Sequence, residues 1–176
     1  MMCGSTAPLG LIREPVLAGL HDYWSGKRRG DRLPTRAALA PEEMVPALPH
    51  VMLIDVLDGG STLRYRLVGT VIAAGIDPTG RTLREVLPGG AYRAHILDLY
   101  AAVLARGGPM YCRHRYPGAD DTEAREVARL FLPLAADGRT VDMLLVGQIR
   151  HAPRFVATSM WQERPERFDE LERSFL

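Results

Sequence analysis

Apolar positions along the chain recur at two periods, and the switching between them divides the sequence into elements. Val16, Leu17, Leu20, Tyr23 and Trp24 fall at helical spacing. Pro15 suits the first turn, Glu14 sits at the positive end of the helix dipole, and Gly26 and Gly30 mark the C-terminal end, so an amphipathic helix is expected here. Residues 31–41 form a polar connector closed by Pro34 and Pro41, and Glu42 to Leu48 has room for one or two helical turns before Pro49. Val51 to Leu57 is a β-branched, apolar run. Leu63 to Val68 sets Leu63, Tyr65 and Leu67 against Arg64 and Arg66, and Asp58-Gly59-Gly60-Ser61 between the two runs is a hairpin signal.

The period then lengthens again. Gly69 to Gly80 reads as a short helix, with Thr70 as a candidate N-cap, followed by a loop, and Leu83 to Leu87 as another helical turn. Ala91 to Arg106 carries the stripe Tyr92, Ile96, Leu99, Tyr100, Val103 and Leu104 and ends at Gly107-Gly108, a long helix. Three strands follow: Met110 to Tyr116, Ala124 to Leu134 and Val141 to Ile149. The first turn is signalled by Pro117-Gly118 with Asp120-Asp121, the second by Asp137-Gly138. Phe168, Leu171 and Phe175 recur at helical spacing within Pro165 to Phe175 and predict a short terminal helix. The tight turns within each strand group favour antiparallel pairing. The expected architecture is α+β: a five-stranded antiparallel sheet with helices on one face, preceded by the N-terminal amphipathic helix. The expected divisions are a flexible lead at 1–13, helix and connector at 14–50, a sheet domain at 51–152 and a C-terminal extension at 153–176.

Composition narrows the function classes. At 176 residues and 47% hydrophobic content the chain suits one domain with its own core. A formal charge of +1 makes no electrostatic case for nucleic acid or membrane as a partner. Cys3 and Cys112 form no disulfide framework, and no signal sequence or spanning segment is visible, so a cytoplasmic location is expected. The basic stretch Lys27-Arg28-Arg29 with Arg32 and Arg36 suits a solvated helix end.

Several segments together resemble short bacterial single-domain PAS proteins. They are Tyr23-Trp24 with Leu33-Pro34-Thr35-Arg36, Leu48-Pro49-His50 with Leu53-Ile54-Asp55-Val56, and Tyr65-Arg66-Leu67-Val68-Gly69-Thr70 with Asp77, Thr79-Gly80 and Arg81. Tyr100, Gly108-Pro109, Leu132-Pro133-Leu134 and Val141-Asp142-Met143-Leu144 complete the likeness, which spans roughly residues 17–150. The resemblance implies a sensory or interaction domain rather than an enzyme. It implies binding of a small molecule between sheet and helices, contact with an unidentified signalling protein, or both, and homodimers formed through the helix before the first strand. On that reading the ligand lining is Tyr65, Leu67, Ile96, Tyr100, Cys112, His114, Leu132 and Met143, and the dimer face is Val16, Leu17, Leu20, Tyr23 and Trp24. A purely structural dimerisation module with a packed core is the rival reading.

Cofactor chemistry finds little purchase. Flavin-reactive PAS relatives carry their cysteine on a short helix, whereas Cys112 falls on an expected strand. Haem-binding PAS domains use a histidine on the long helix. His95 lies there, but at the edge of the apolar stripe between Arg93 and Asp98, where a surface position is expected. Cys112-x-His114 supplies at most two metal ligands. A small enzyme using Asp55 or His114 as general base lacks a visible second catalytic group.

Overall fold

The computed structural model describes residues 11–117, 124–151 and 167–176. Residues 1–10 of the expected flexible lead at 1–13 and the turn around Gly118 to Asp121 lie outside the described residues. The elements are α1 (Pro15–Gly26), β1 (Val51–Leu57), β2 (Thr62–Val68), α2 (Thr70–Ala73), α3 (Leu83–Val86), α4 (Ala91–Arg106), β3 (Met110–Pro117), β4 (Ala124–Leu134), β5 (Met143–His151) and β6 (Asp169–Phe175). The connector between α1 and β1 holds single 3-10 turns at Arg36–Ala38, Pro41–Glu43 and Leu48–His50.

The strands form one antiparallel sheet in the order β2-β1-β5-β4-β3-β6. Five of them are those expected. The sixth, β6, replaces the expected C-terminal helix. Left bare, β3 would present a row of unpaired N–H and C=O groups, and β6 covers that edge. Charge sets the pairing: Arg113 stands opposite Glu172 and Arg115 opposite Asp169. The stripe that predicted a helix is not a buried one, since Leu171 and Phe175 are about two-fifths exposed, at 40% and 39%.

Both faces of the sheet are covered. Helices α2 to α4 lie on one face, as expected, over a core of Ile54, Tyr65, Ile72, Leu83, Ile96, Leu99, Tyr100, Val103, Phe131, Leu144 and Val146. Helix α1 and the connector close the opposite face over Leu53, Tyr111, Leu130, Leu132, Leu134 and Leu145. Gly147 of β5 is what lets α1 sit so close. A Cβ there would come within 2.6 Å of a Leu17 methyl and 2.9 Å of a Leu20 methyl. Trp24 pins the helix further, donating from Nε1 to the Pro133 carbonyl at 2.9 Å.

This packing corrects the expected dimer face. Leu17, Leu20 and Trp24 are 0%, 2% and 1% exposed within the single chain, and only Val16 and Tyr23 are partly open. Their spacing showed that one face of α1 must be buried, and the covering surface is the chain's own sheet. The N-cap of α2 is likewise one residue earlier than expected, at Gly69, where a Cβ would strike the Leu48 carbonyl oxygen.

Candidate functional site

Strand parity decides which side chains meet α4. Cys112, Arg129 and Gln148 stand opposite one another on β3, β4 and β5, forming one row across the sheet. Phe131, two residues beyond Arg129, belongs to the α4-side core, so the row faces α4. Tyr92 and His95, in the first turns of α4, lie over this part of the sheet. Tyr92 meets the His114 ring edge-on with centroids 5.5 Å apart, and His95 does so at 5.6 Å.

At the centre is Arg129, 3% exposed. Its Nε donates to Gln148 Oε1 at 2.6 Å, and Nη2 donates to the Tyr92 hydroxyl at 3.1 Å. Nη1 lies 3.3 Å from both ring nitrogens of His114, so it cannot point along the lone pair of each. The Tyr92 hydroxyl is 3.2 Å from His114 Nε2. Every partner of this guanidinium is neutral, and among the described residues no carboxylate forms an ion pair with it.

Burial sets the protonation states. Desolvation first, then the Arg129 and His95 charges, press the His114 imidazole down to about 2, so it is neutral at physiological pH. Desolvation raises the Cys112 thiol to about 11 and pushes the Tyr65 and Tyr100 phenols above their usual range. Arg129 is therefore a buried positive charge whose hydrogen-bonding neighbours among the described residues are neutral.

The far wall comes from β6 and the residue before it. Phe168 lies against His95 with centroids 4.4 Å apart and meets Tyr92 edge-on at 6.0 Å. Glu170 Oε2 lies 3.5 Å from His95 Nδ1, while His95 Nε2 is buried with no hydrogen-bond partner among the described residues. Arg173 ties β6 to α4 through Asp98 at 2.8 Å and to Glu170 at 2.7 Å. The side chain of His95 is only 8% exposed, which corrects its expected surface position. A terminal strand, which the sequence did not announce, covers it.

Of the expected ligand lining, Tyr65, Ile96, Tyr100, Cys112 and His114 share the α4 side and are 0–3% exposed. Leu132 and Met143 belong to the α1-side core instead. Both lie on strands buried on two faces, where apolar runs carry no alternation to reveal direction. Leu67 is 43% exposed. A register shift makes Leu53 pair with Leu67 but Ile54 with Tyr65, leaving Arg66 as an extra residue that reverses the phase. Arg129, Tyr92 and Gln148 were missing from the expected set. Arg129 had a signal: it is the lone charge inside the apolar run Val127 to Leu134.

The two groups considered as general bases are far from equivalent. Both carboxylate oxygens of Asp55 are occupied, Oδ2 by Arg64 at 2.9 Å and Oδ1 by Arg66 at 2.8 Å, a structural pairing across β1 and β2. His114 is held by Tyr92 and Arg129. Among the described residues no group of three or more His, Cys, Asp or Glu side chains could hold a metal ion, and no helix is long and apolar enough to cross a membrane.

A family model described as PAS domain matches residues 12–149, well over half of the chain. Comparison with curated proteins and with solved structures gave no match. PAS domains are generally sensory rather than catalytic. The match runs from just before α1 to within β5 and includes every residue of the Tyr92, His114, Arg129 and Gln148 cluster. With the antiparallel sheet and the helices over one of its faces, it establishes that this chain belongs to the PAS domain family.

Proposed function

We propose that this PAS domain is a sensor whose input is a small molecule held between the sheet and α4, and whose output is a change in protein contacts. The observation that carries the reading is the polar cluster around Arg129. Burying a charge among neutral partners costs several kcal/mol in general. A domain built only to present a surface gains nothing from such a group, because well-packed apolar side chains of similar volume serve a closed core at least as well. Ligand sites, by contrast, are mostly apolar with a few convergent polar groups, which describes Arg129, Tyr92 and His114 among Ile96, Tyr100 and Phe131.

The test is native mass spectrometry of the freshly purified protein beside its denatured mass, followed by thermal shifts against a library of small organic molecules. An excess mass that disappears on denaturation, or a saturable shift lost on filling the site by Cys112→Phe, is the expected result. Equal masses and no saturable shift would overturn the ligand reading.

A second reading, an interaction module acting as a homodimer, is favoured by the surface beside α1. Val16 and Tyr23 border a groove with Met44, Pro46 and Ala47, and neighbouring Val45 is 58% exposed. Because Leu20 is buried, its substitution reports stability. Val45→Asp, with sedimentation or light scattering as the readout, tests the dimer without disturbing the core.

A further inference from the structure

The hydrogen-bonding inventory around Arg129 is unbalanced. Its guanidinium offers five N–H groups, a neutral His114 one N–H, and Tyr92 one O–H. Facing them are the Gln148 amide oxygen, one imidazole lone pair and the Tyr92 oxygen. If Tyr92 donates to His114 Nε2, then Nδ1 carries the proton and opposes the Arg129 Nη1 donor. If Nε2 carries it instead, the Tyr92 hydroxyl has no acceptor in the cluster. In either tautomer donors exceed acceptors within the cluster, around a charge that no carboxylate among the described residues pairs with. Buried polar groups in folded proteins are normally satisfied, and a guanidinium pairs best with a planar two-oxygen acceptor.

We infer that the ligand of this site is an organic monocarboxylate, bound by Arg129 and Tyr92 with its apolar body against Ile96, Tyr100 and Phe131. The inference rests on the ligand-sensor reading and names the chemistry of that ligand. A monoanion fits because Arg129 is the one charged member of the Tyr92, His114, Arg129 and Gln148 cluster, beside a neutral imidazole; a second negative charge would find no cation within it. A carboxylate fits because its two oxygens take parallel N–H donors. An apolar body fits because the side chains next to the polar row belong to the hydrophobic core on the α4 side.

The experiment uses the full chain after exhaustive dialysis, with benzoate and hexanoate as probes, benzamide and hexanamide as their neutral counterparts, and chloride matched throughout. Binding is read by calorimetry and by thermal shift, in the parent protein and in Arg129→Gln and Arg129→Lys. The expected result is saturable binding of at least one acid, with its amide weaker, and a loss of affinity of about thirtyfold or more in Arg129→Gln. Arg129→Lys keeps the charge but not the fork, and retains part of the affinity. A structural role alone would lower the melting temperature in Arg129→Gln without any acid-dependent difference. Amides binding as well as acids, acid binding undiminished in Arg129→Gln, or a shift that follows chloride would each overturn the carboxylate assignment while leaving the sensor reading. No saturable binding of any probe, together with equal native and denatured masses, would overturn both.

Discussion

Adding one methyl group at Gly147 tests the account of how α1 is held. The new Cβ would lie 2.6 Å from a Leu17 methyl and 2.9 Å from a Leu20 methyl, about 1 Å inside ordinary carbon contact. Two responses compete. Undocking α1 forfeits the burial of Leu17, Leu20 and Trp24, about 2 kcal/mol each, and the Trp24 hydrogen bond, about 1 kcal/mol. Shifting the two leucines within the core carries the usual overpacking cost, about 1–3 kcal/mol. The second is cheaper, so α1 stays docked and strained. The conformational gain of replacing a strand glycine, up to about 1 kcal/mol, offsets only part of that. Gly147→Ala should therefore lower the melting temperature by about 2–8 °C and lower the urea midpoint at an unchanged slope. Leu17→Ala alone should cost about 2–5 kcal/mol, and the double variant should cost less than the sum because the truncated side chain removes the nearest clash. An unchanged or raised midpoint in Gly147→Ala, or strict additivity of the pair, would refute the close approach.

Other outcomes follow from the same geometry. Trp24→Phe keeps the burial but loses the bond to Pro133 O, and denaturant unfolding should register about 1–2 kcal/mol of destabilisation. The depressed His114 value means that the unfolded chain, with an ordinary histidine near 6.5, binds the extra proton first. This contribution to stability is complete above about 6.5 and falls with pH towards about 2, by at most about 1.4 kcal/mol per pH unit. Nitrogen-correlated NMR of the folded protein should show the His114 ring neutral at pH 5; a protonated ring there contradicts the buried Arg129 environment. Cys112, 1% exposed with its thiol near 11, should resist iodoacetamide at pH 8 until the protein unfolds, as peptide mass mapping would show.

Element identity was legible wherever the sequence kept a single period. Val51–Leu57, Ala91–Arg106 and Ala124–Leu134 begin and end where glycine, proline and the apolar spacing place them. Facing was not legible on β4 and β5, because a strand packed on both sides shows no polar alternation; Leu132 and Met143 were assigned to the wrong layer for that reason. The extra residue at Arg66 hid the outward turn of Leu67. The polar site was half visible. Cys112 and His114 share the alternation of β3, but their companions come from the middle of an apolar strand and the first turn of a helix. Only tertiary packing brings those together. The terminal strand was the hardest to foresee. Its pairing is decided by charges on β3 and by an edge that must be covered, neither of which is local to residues 169–175.

That strand carries no fully buried side chain among its seven residues, whereas β4 buries nearly every side chain it has. Opening free energies in a native protein follow such differences, and the element with least apolar burial detaches first in the sub-global excursions that hydrogen exchange detects. The amides of β6, and those of β3 that bond only to it, therefore form an exchange unit of their own, turning over while the β1-β5-β4 centre stays protected. Phe168 and Glu170 move with that unit. In these native-state fluctuations His95 and Tyr92 lose one wall without the rest of the domain unfolding, so the buried Arg129 charge is separated by Tyr92 alone from a segment that opens easily.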